Sequence, residues 1–274
     1  MARPIGLAAL TVLELRPPDQ VACAAAAGFS HVGLRLIPAT PDDTLHPMIG
    51  DTAMAREVAR RLDDTGVKVL DIEIFRLRPH TRVQDYAAAF DAGARLGAKH
   101  ALVAGNDPDE ARLIDNFAAI CELAARFELT ADLEPMPWTD ARSVPQAARI
   151  VAAADRANGG VLVDAIHWDR SAGTPDDIRA VPPGRLRYAQ LCDAPTDRPT
   201  DTAEILRQAR AERLFPGEGG LDLRGMLRAL PPDIPLSLEI PTLALAKTVP
   251  AVERARRALA ATRALLAAMV EEGW

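Results

Sequence analysis

The chain has 274 residues, 49% of them hydrophobic and 26% charged, with 38 acidic against 32 basic side chains. That suits one globular α/β unit with a sizeable core, and excludes a disordered chain or a nucleic-acid binder with the usual basic footprint. Cys23, Cys121 and Cys192 lie far apart with no C-x-x-C, so they read as reduced thiols of a cytoplasmic protein.

Strand-like and Ala-rich helical runs alternate from the start. Ile5 to Leu10 reads as a buried first strand rather than a signal segment, because Glu14 and Arg16 follow with no cleavage site. A helix from Pro18 to Ala27 stops at Gly28, and His31 to Leu36 is the second strand. Thr52 to Thr65 is helical before Gly66, and Val67 to Phe75 is strand three. Val83 to Leu96 is the next helix, and Ala98 to Ala104 strand four. Asp109 to Phe127 forms a long helix ahead of strand five, Leu129 to Glu134. Ser143 to Asn158 is helical, Val161 to Asp164 is strand six, a short helix spans Asp176 to Val181, and Leu186 to Cys192 is strand seven. Leu221 to Leu230 is helical, Leu236 to Ile240 is strand eight, and Val249 to Val270 closes the chain. Eight βα units of this length predict a single-domain (β/α)8 TIM barrel over residues 1–274. Neither G-x-G-x-x-G nor G-x-x-x-x-G-K-[ST] occurs, and no run of 18 residues is apolar enough to span a membrane.

Barrel chemistry sits at the C-terminal ends of strands. There the chain places Glu134, Asp164, Gln190 and Glu239, at the ends of strands five to eight. Singly, each reads as a polar strand end. Together, three carboxylates in a partly dry mouth repel one another unless a cation joins them, and an all-oxygen set favours Mg²⁺ or Mn²⁺. Arg170 and Arg213 read either as forks for an anionic substrate group or as solvated loop arginines. Glu73 reads as a substrate contact or a helix-cap partner, and Trp138 and Trp168 as stacking platforms or rim packing. Pro216-Gly217-Glu218-Gly219 reads as a structural turn.

The motifs Leu133-Glu134-Pro135, Asp164-Ala165-Ile166-His167, Gln190-Leu191-Cys192-Asp193, Pro216-Gly217-Glu218-Gly219 and Ser237-Leu238-Glu239 span nearly the whole chain. In them the sequence resembles the sugar phosphate isomerase/epimerase family, the xylose isomerase-like TIM barrels. The resemblance implies one divalent metal held by Glu134, Asp164 and Glu239, with Gln190 standing where that family usually has His. It implies that His167 hydrogen-bonds a substrate hydroxyl or carbonyl, and that Glu134 and Glu239 act as catalytic base and acid. The expected activity is isomerisation or epimerisation of a sugar or related polyhydroxy ketone, through proton abstraction beside a carbonyl and a metal-stabilised enediolate. The runner-up is a dehydratase of the inosose or dehydroshikimate kind. An endonuclease IV-like nuclease and a non-catalytic sugar-binding barrel are further alternatives. The expected partner is a small polyhydroxylated substrate, with no nucleic acid and no membrane, and the resemblance implies a homo-oligomer. His46 and His80 are too sparse for a multi-zinc cluster.

Overall fold

Turn chemistry sets the helix ends. Pro17 and Pro18 open α1 (Pro17–Ala27), where the missing N–H groups cost nothing, and Gly28 at φ 91° ends it. Thr52 caps α2 (Ala53–Thr65) by accepting from the Ala55 amide, and Asp109 caps the helix Glu110–Ala125 in the same way from Arg112. The computed structural model describes residues 3–41 and 43–274.

Among the described residues, nine strands form one all-parallel sheet: β1 (Ile5–Leu7), β2 (His31–Arg35), β3 (Lys68–Leu77), β4 (His100–Gly105), β5 (Thr130–Glu134), β6 (Gly159–Val161), β7 (Val163–Asp164), β8 (Ala189–Leu191) and β9 (Leu236–Leu238). Their order, β6-β5-β4-β3-β2-β1-β9-β8-β7, is that of a nearly closed barrel. Helices alternate with the strands: after α1 and α2 come α3 (Ala87–Arg95), α4 (Glu110–Ala125), α5 (Val144–Ala154), α6 (Ala165–Arg170), α7 (Pro175–Arg179), α8 (Thr202–Ala211), α9 (Leu223–Ala229), α10 (Leu243–Ala246) and α11 (Ala251–Glu271).

The expected sixth strand is thus two pieces. β6 pairs with β5 and β7 with β8, and the seam falls at Leu162, whose amide still donates to the Leu133 carbonyl at 3.0 Å. Three helices escaped the sequence reading, among them the short α10 (Leu243–Ala246). α6 begins directly on Asp164, and α8 is capped by Asp201, which accepts from the Glu204 amide at 3.0 Å.

Alternation along the strands positions the site. Leu133, Val163, Leu191 and Leu238 belong to the large core under the helices, while Leu162 and Tyr188 belong to the smaller cluster with Leu70 and Leu102. With a period of two, Glu134, Asp164, Gln190 and Glu239 therefore project to the face opposite the helices, into the barrel. Asp164 stands beside Gln190 in the parallel register.

Candidate active site and metal-binding group

Glu134, Asp164, His167 and Glu239 are all buried, and each offers a ligand atom within 4.8 Å of those of the others. Asp164 is fixed at the start of α6: its Oδ1 accepts from the amides of Ile166 at 3.0 Å and His167 at 3.1 Å. The same half-turn brings the His167 Nε2 to 3.7 Å from Glu134 Oε1 and Nδ1 to 3.9 Å from Asp164 Oδ1. Burial pushes the His167 imidazole down to about 4, so it is neutral at pH 7, and its Nδ1 has no hydrogen-bond partner.

Gln190 reaches all three carboxylates. Its amide donates to Glu239 Oε1 at 3.3 Å in one orientation, and in the other to Glu134 Oε1 at 2.8 Å and Asp164 Oδ2 at 3.3 Å. In the first orientation its oxygen is turned towards Glu134 and Asp164, the arrangement that a cation between them would require.

Arg213 is the surprise of the site. Its Nη1 donates to Asp164 Oδ2 at 2.7 Å and its Nη2 to Glu239 Oε2 at 2.6 Å, with all three side chains buried. One guanidinium thus serves two carboxylates. Burial alone raises the Asp164 pKa, but Arg213, His167 and its own backbone donors together hold it below the usual range. Glu239 is pushed up to about 7 by burial, with Glu73 and Asp164 adding to the shift and Arg213 opposing it. Glu134 has no guanidinium, and burial together with the charges of Glu239 and Asp164 lifts it well above the carboxylate range. Fully ionised, three carboxylates and one guanidinium would leave two negative charges uncompensated, a deficit that protons on Glu134 and in part on Glu239 meet when no cation is bound. A divalent cation matches that deficit, and the donor set of carboxylate, amide oxygen and imidazole fits one.

The segment carrying Arg213 is held by Asp193. Residues Asp193 and Leu214 exchange backbone hydrogen bonds at 2.9 and 2.8 Å, an antiparallel bridge beyond β8. The Asp193 carboxylate also accepts from the amides of Ala194, Gly217, Gly219 and Leu221 at 2.9–3.1 Å. A Cβ on Gly219 would lie 2.3 Å from the Ala194 carbonyl oxygen, so this turn admits no side chain there. Each charge-assisted bond contributes about 1.5–3 kcal/mol, which exceeds the roughly 1 kcal/mol that a glycine costs in chain entropy. The loop is a structural turn, as its sequence implies.

A cavity of about 360 Å³ opens over this group, lined among others by Arg35, Glu73, Glu134, Trp138, His167 and Glu239. Its size falls in the range of small-molecule sites. Trp138 packs edge-on to His167, with centroids 4.9 Å apart. Glu73 lines the cavity but is bound by Arg35, whose Nε donates at 2.8 Å.

Two arginine expectations change. Arg170 does not line the cavity: its guanidinium is consumed by Asp169 at 2.5 Å, Gln208 at 2.9 Å and the Pro195 carbonyl at 2.8 Å. Arg213 does line it, yet its charge is spent on Asp164 and Glu239 rather than left for an anionic substrate. Trp168 is core packing, donating from Nε1 to the Thr174 carbonyl at 3.2 Å. His46 and His80 stand outside the cavity. The sequence reading missed Arg35, Arg76 and Arg210, which line it. Arg76 had a signal, a cation set between apolar residues in Ile74-Phe75-Arg76-Leu77. Arg210 had one in Asp201-Thr202-Ala203-Glu204, the start of an unclaimed helix.

A family model described as xylose isomerase-like TIM barrel matches residues 21–265. A 3-dehydroshikimate dehydratase of Pseudomonas aeruginosa is 29% identical over 239 residues, an alignment that covers 81% of this chain and 36% of that protein. The chain therefore corresponds to about a third of that relative's length. Among solved structures, a xylose isomerase-like TIM barrel/4-hydroxyphenylpyruvate dioxygenase fusion protein superposes with a TM-score of 0.78 at 24% identity, over 94% of this chain and 42% of that one. The IOLI protein with a bound zinc atom gives a TM-score of 0.76 at 17% identity, over 94% and 96%. No helix among the described residues is long and apolar enough to cross a membrane.

Proposed function

The chain belongs to the xylose isomerase-like TIM barrel family, and on that footing we propose that it is a divalent-metal-dependent dehydratase of a β-hydroxy ketone, with 3-dehydroshikimate the first substrate to try. The observation that carries this reading is the convergence of three buried carboxylates, an amide and an imidazole with only one guanidinium to neutralise them. Isomerase, epimerase and dehydratase chemistry share the first step, removal of a proton beside a carbonyl. The 29% identity to a protein named as a dehydratase favours elimination as the second step and reverses the order of preference that the sequence alone suggests.

Glu134, Asp164, Gln190 and Glu239 would hold the metal, which would supply positive charge beside the substrate oxygen that becomes an enolate. Glu134, the carboxylate with no guanidinium partner, takes the proton from the carbon next to the carbonyl. Glu239 gives a proton to the hydroxyl on the following carbon, so that the C–O bond breaks and water leaves. With 3-dehydroshikimate the resulting dienone tautomerises to 3,4-dihydroxybenzoate, and the net change is loss of one water. Neutral His167 donates or accepts one hydrogen bond to a substrate hydroxyl without adding charge. Asp164, tied to the α6 backbone and to Arg213, keeps the group in place. Trp138 shields one side from water.

The test is turnover. Purified protein supplied with Mg²⁺, Mn²⁺ or Zn²⁺ is expected to convert 3-dehydroshikimate to the aromatic acid, followed by its ultraviolet absorbance, and to lose that activity in EDTA. Conversion of keto-sugars with none of 3-dehydroshikimate would overturn the dehydratase reading in favour of an isomerase or epimerase.

A further inference from the structure

Four arginines line the cavity, and they divide into two kinds. Arg35 is paired with Glu73 and Asp43, and Arg213 with Asp164 and Glu239. Arg76 and Arg210 have no carboxylate within 4.0 Å among the described residues. Arg76 is only 8% exposed. Its Nε donates to the Ala39 carbonyl at 3.2 Å and its Nη1 to Asn106 Oδ1 at 3.0 Å. Two neutral acceptors thus orient the guanidinium without compensating its charge, and Nη2 has no hydrogen-bond partner among the described residues. Burial, and after it the Arg210 charge, press the Arg76 pKa down. Arg210, in the last turn of α8, holds its guanidinium 5.7 Å from the Trp138 ring centroid.

A buried, oriented cation without a counter-ion is expensive in a fold and useful in a binding site. Trp138 connects the two ends of the cavity, touching His167 beside the carboxylates and lying under Arg210, and its own buried Nε1 has no acceptor. Building on the dehydratase reading, we infer that Arg76 and Arg210 form a carboxylate clamp, which selects an acidic hydroxy ketone over neutral sugars. A carboxylate fits better than a phosphate. The glycine-rich turn that could cradle a phosphate has the amides of Gly217 and Gly219 committed to Asp193. A planar two-oxygen anion suits the forks of two guanidinium groups.

The test separates the clamp from the dehydratase reading by measuring binding as well as turnover. Calorimetry with metal-loaded protein compares 3,4-dihydroxybenzoate, neutral catechol and inorganic phosphate against wild type, Arg76→Gln and Arg210→Gln. Arg210 stands on the exposed rim, so its variant keeps the experiment decisive if Arg76→Gln fails to fold. Each substitution is expected to weaken the dihydroxybenzoate about 10- to 100-fold and to leave catechol unchanged. In turnover the loss should appear chiefly in KM. Equal losses for acid and catechol, or phosphate binding that depends on Arg76 as strongly as carboxylate binding does, would overturn the clamp. Arginine-dependent binding of the acid without turnover of 3-dehydroshikimate upholds the clamp and removes the dehydratase. Turnover unaffected by either substitution does the reverse.

Discussion

The barrel interior has two polar tiers on the same strands, and they solve their electrostatics differently. On β5 the lower tier holds Asp132 and the upper Glu134; at β8 the pair is Tyr188, just before the strand, and Gln190, and at β9 it is Ser237 and Glu239, just after the strand. Asp132 is neutralised from within: Arg187 donates at 3.1 Å, Thr130 donates to its other oxygen, and His100 Nδ1 lies at 3.5 Å. Asp71, buried with neither oxygen bonded, is held by desolvation far above the usual carboxylate range and is therefore neutral. The hydroxyls of Tyr188 and Ser237 are unpaired, but they are dipoles. An unpaired buried dipole costs about 1–3 kcal/mol, which a fold can absorb. An unpaired buried charge costs several times that, and the upper tier, once ionised, has two more negative charges than Arg213 can balance, so Glu134 and in part Glu239 hold protons until a cation takes their place. A ligand is what the upper tier is built to receive and the lower tier is not.

Breaking that contrast gives the largest effect. Glu134→Gln is expected to lower kcat by about 10³-fold or more while preserving the fold, because the amide matches the neutral form that burial favours at this position. Asp132→Asn should do the opposite. It strips Arg187 of its partner and is expected to cost about 2–3 kcal/mol of stability, with kcat within a few-fold of wild type. Paired denaturant titrations and rate measurements check both. A stable Asp132→Asn protein without activity, or an active Glu134→Gln protein, would show the tiers to be wrongly assigned.

The contrast also marks what a one-dimensional reading can reach. Strand ends at Glu134, Asp164 and Glu239 are legible because apolar runs of β length stop on a carboxylate, and parallel α/β alternation sends such ends to one rim. The split at Leu162 is not legible, since Val161-Leu162-Val163 is an unbroken apolar run and only the positions of β5 and β8 decide where pairing changes sides. Nor is the fate of an arginine. Arg170 and Arg213 look alike in sequence, and both end up buried. One is drawn to Asp169 and Gln208 on the scaffold, the other to Asp164 and Glu239 in the site, because partners distant in sequence compete for each guanidinium. The setting of Arg76 is equally hidden in the sequence, because its neighbours Ala39 and Asn106 come from other loops.

A second prediction sharpens the tiers through pH. The folded-state pKa of Glu239 is raised from 4.5 to about 7, and that of Glu134 is raised well above the same starting value. The native protein therefore holds protons that the unfolded chain releases. The stability tied to Glu239 is fully present below about pH 4.5 and is lost as pH rises through about 7. Asp164, with its lowered pKa, acts in the other direction and only below its ordinary value of 3.8. In EDTA, unfolding free energy should fall between pH 5 and pH 8 by on the order of 1–3 kcal/mol. Saturating Mg²⁺ or Mn²⁺ should flatten that slope by binding the deprotonated carboxylates. Glu239→Gln should lose part of the slope even in EDTA. An identical pH dependence in wild type and variant would place the titrating groups outside the upper tier.

The smallest expected effect concerns Gln190, the one member of the upper tier that cannot carry charge. Its amide reaches Glu134, Asp164 and Glu239 in one orientation or the other, so it either presents its oxygen to a metal or merely props the carboxylates apart. The two roles separate in Gln190→His. An amide oxygen is a hard donor suited to Mg²⁺ or Mn²⁺, whereas an imidazole nitrogen favours Zn²⁺ and Co²⁺. If Gln190 binds the metal, the ratio of Zn²⁺ to Mg²⁺ affinity should rise about tenfold or more in the variant, a change of about 1.4 kcal/mol. Competition titrations against a chelating dye read that ratio directly, without any assay of turnover. If Gln190 only spaces the carboxylates, both affinities should fall together and the ratio should stay fixed. Selectivity for the hard ion would then belong to Glu134, Asp164 and Glu239 alone.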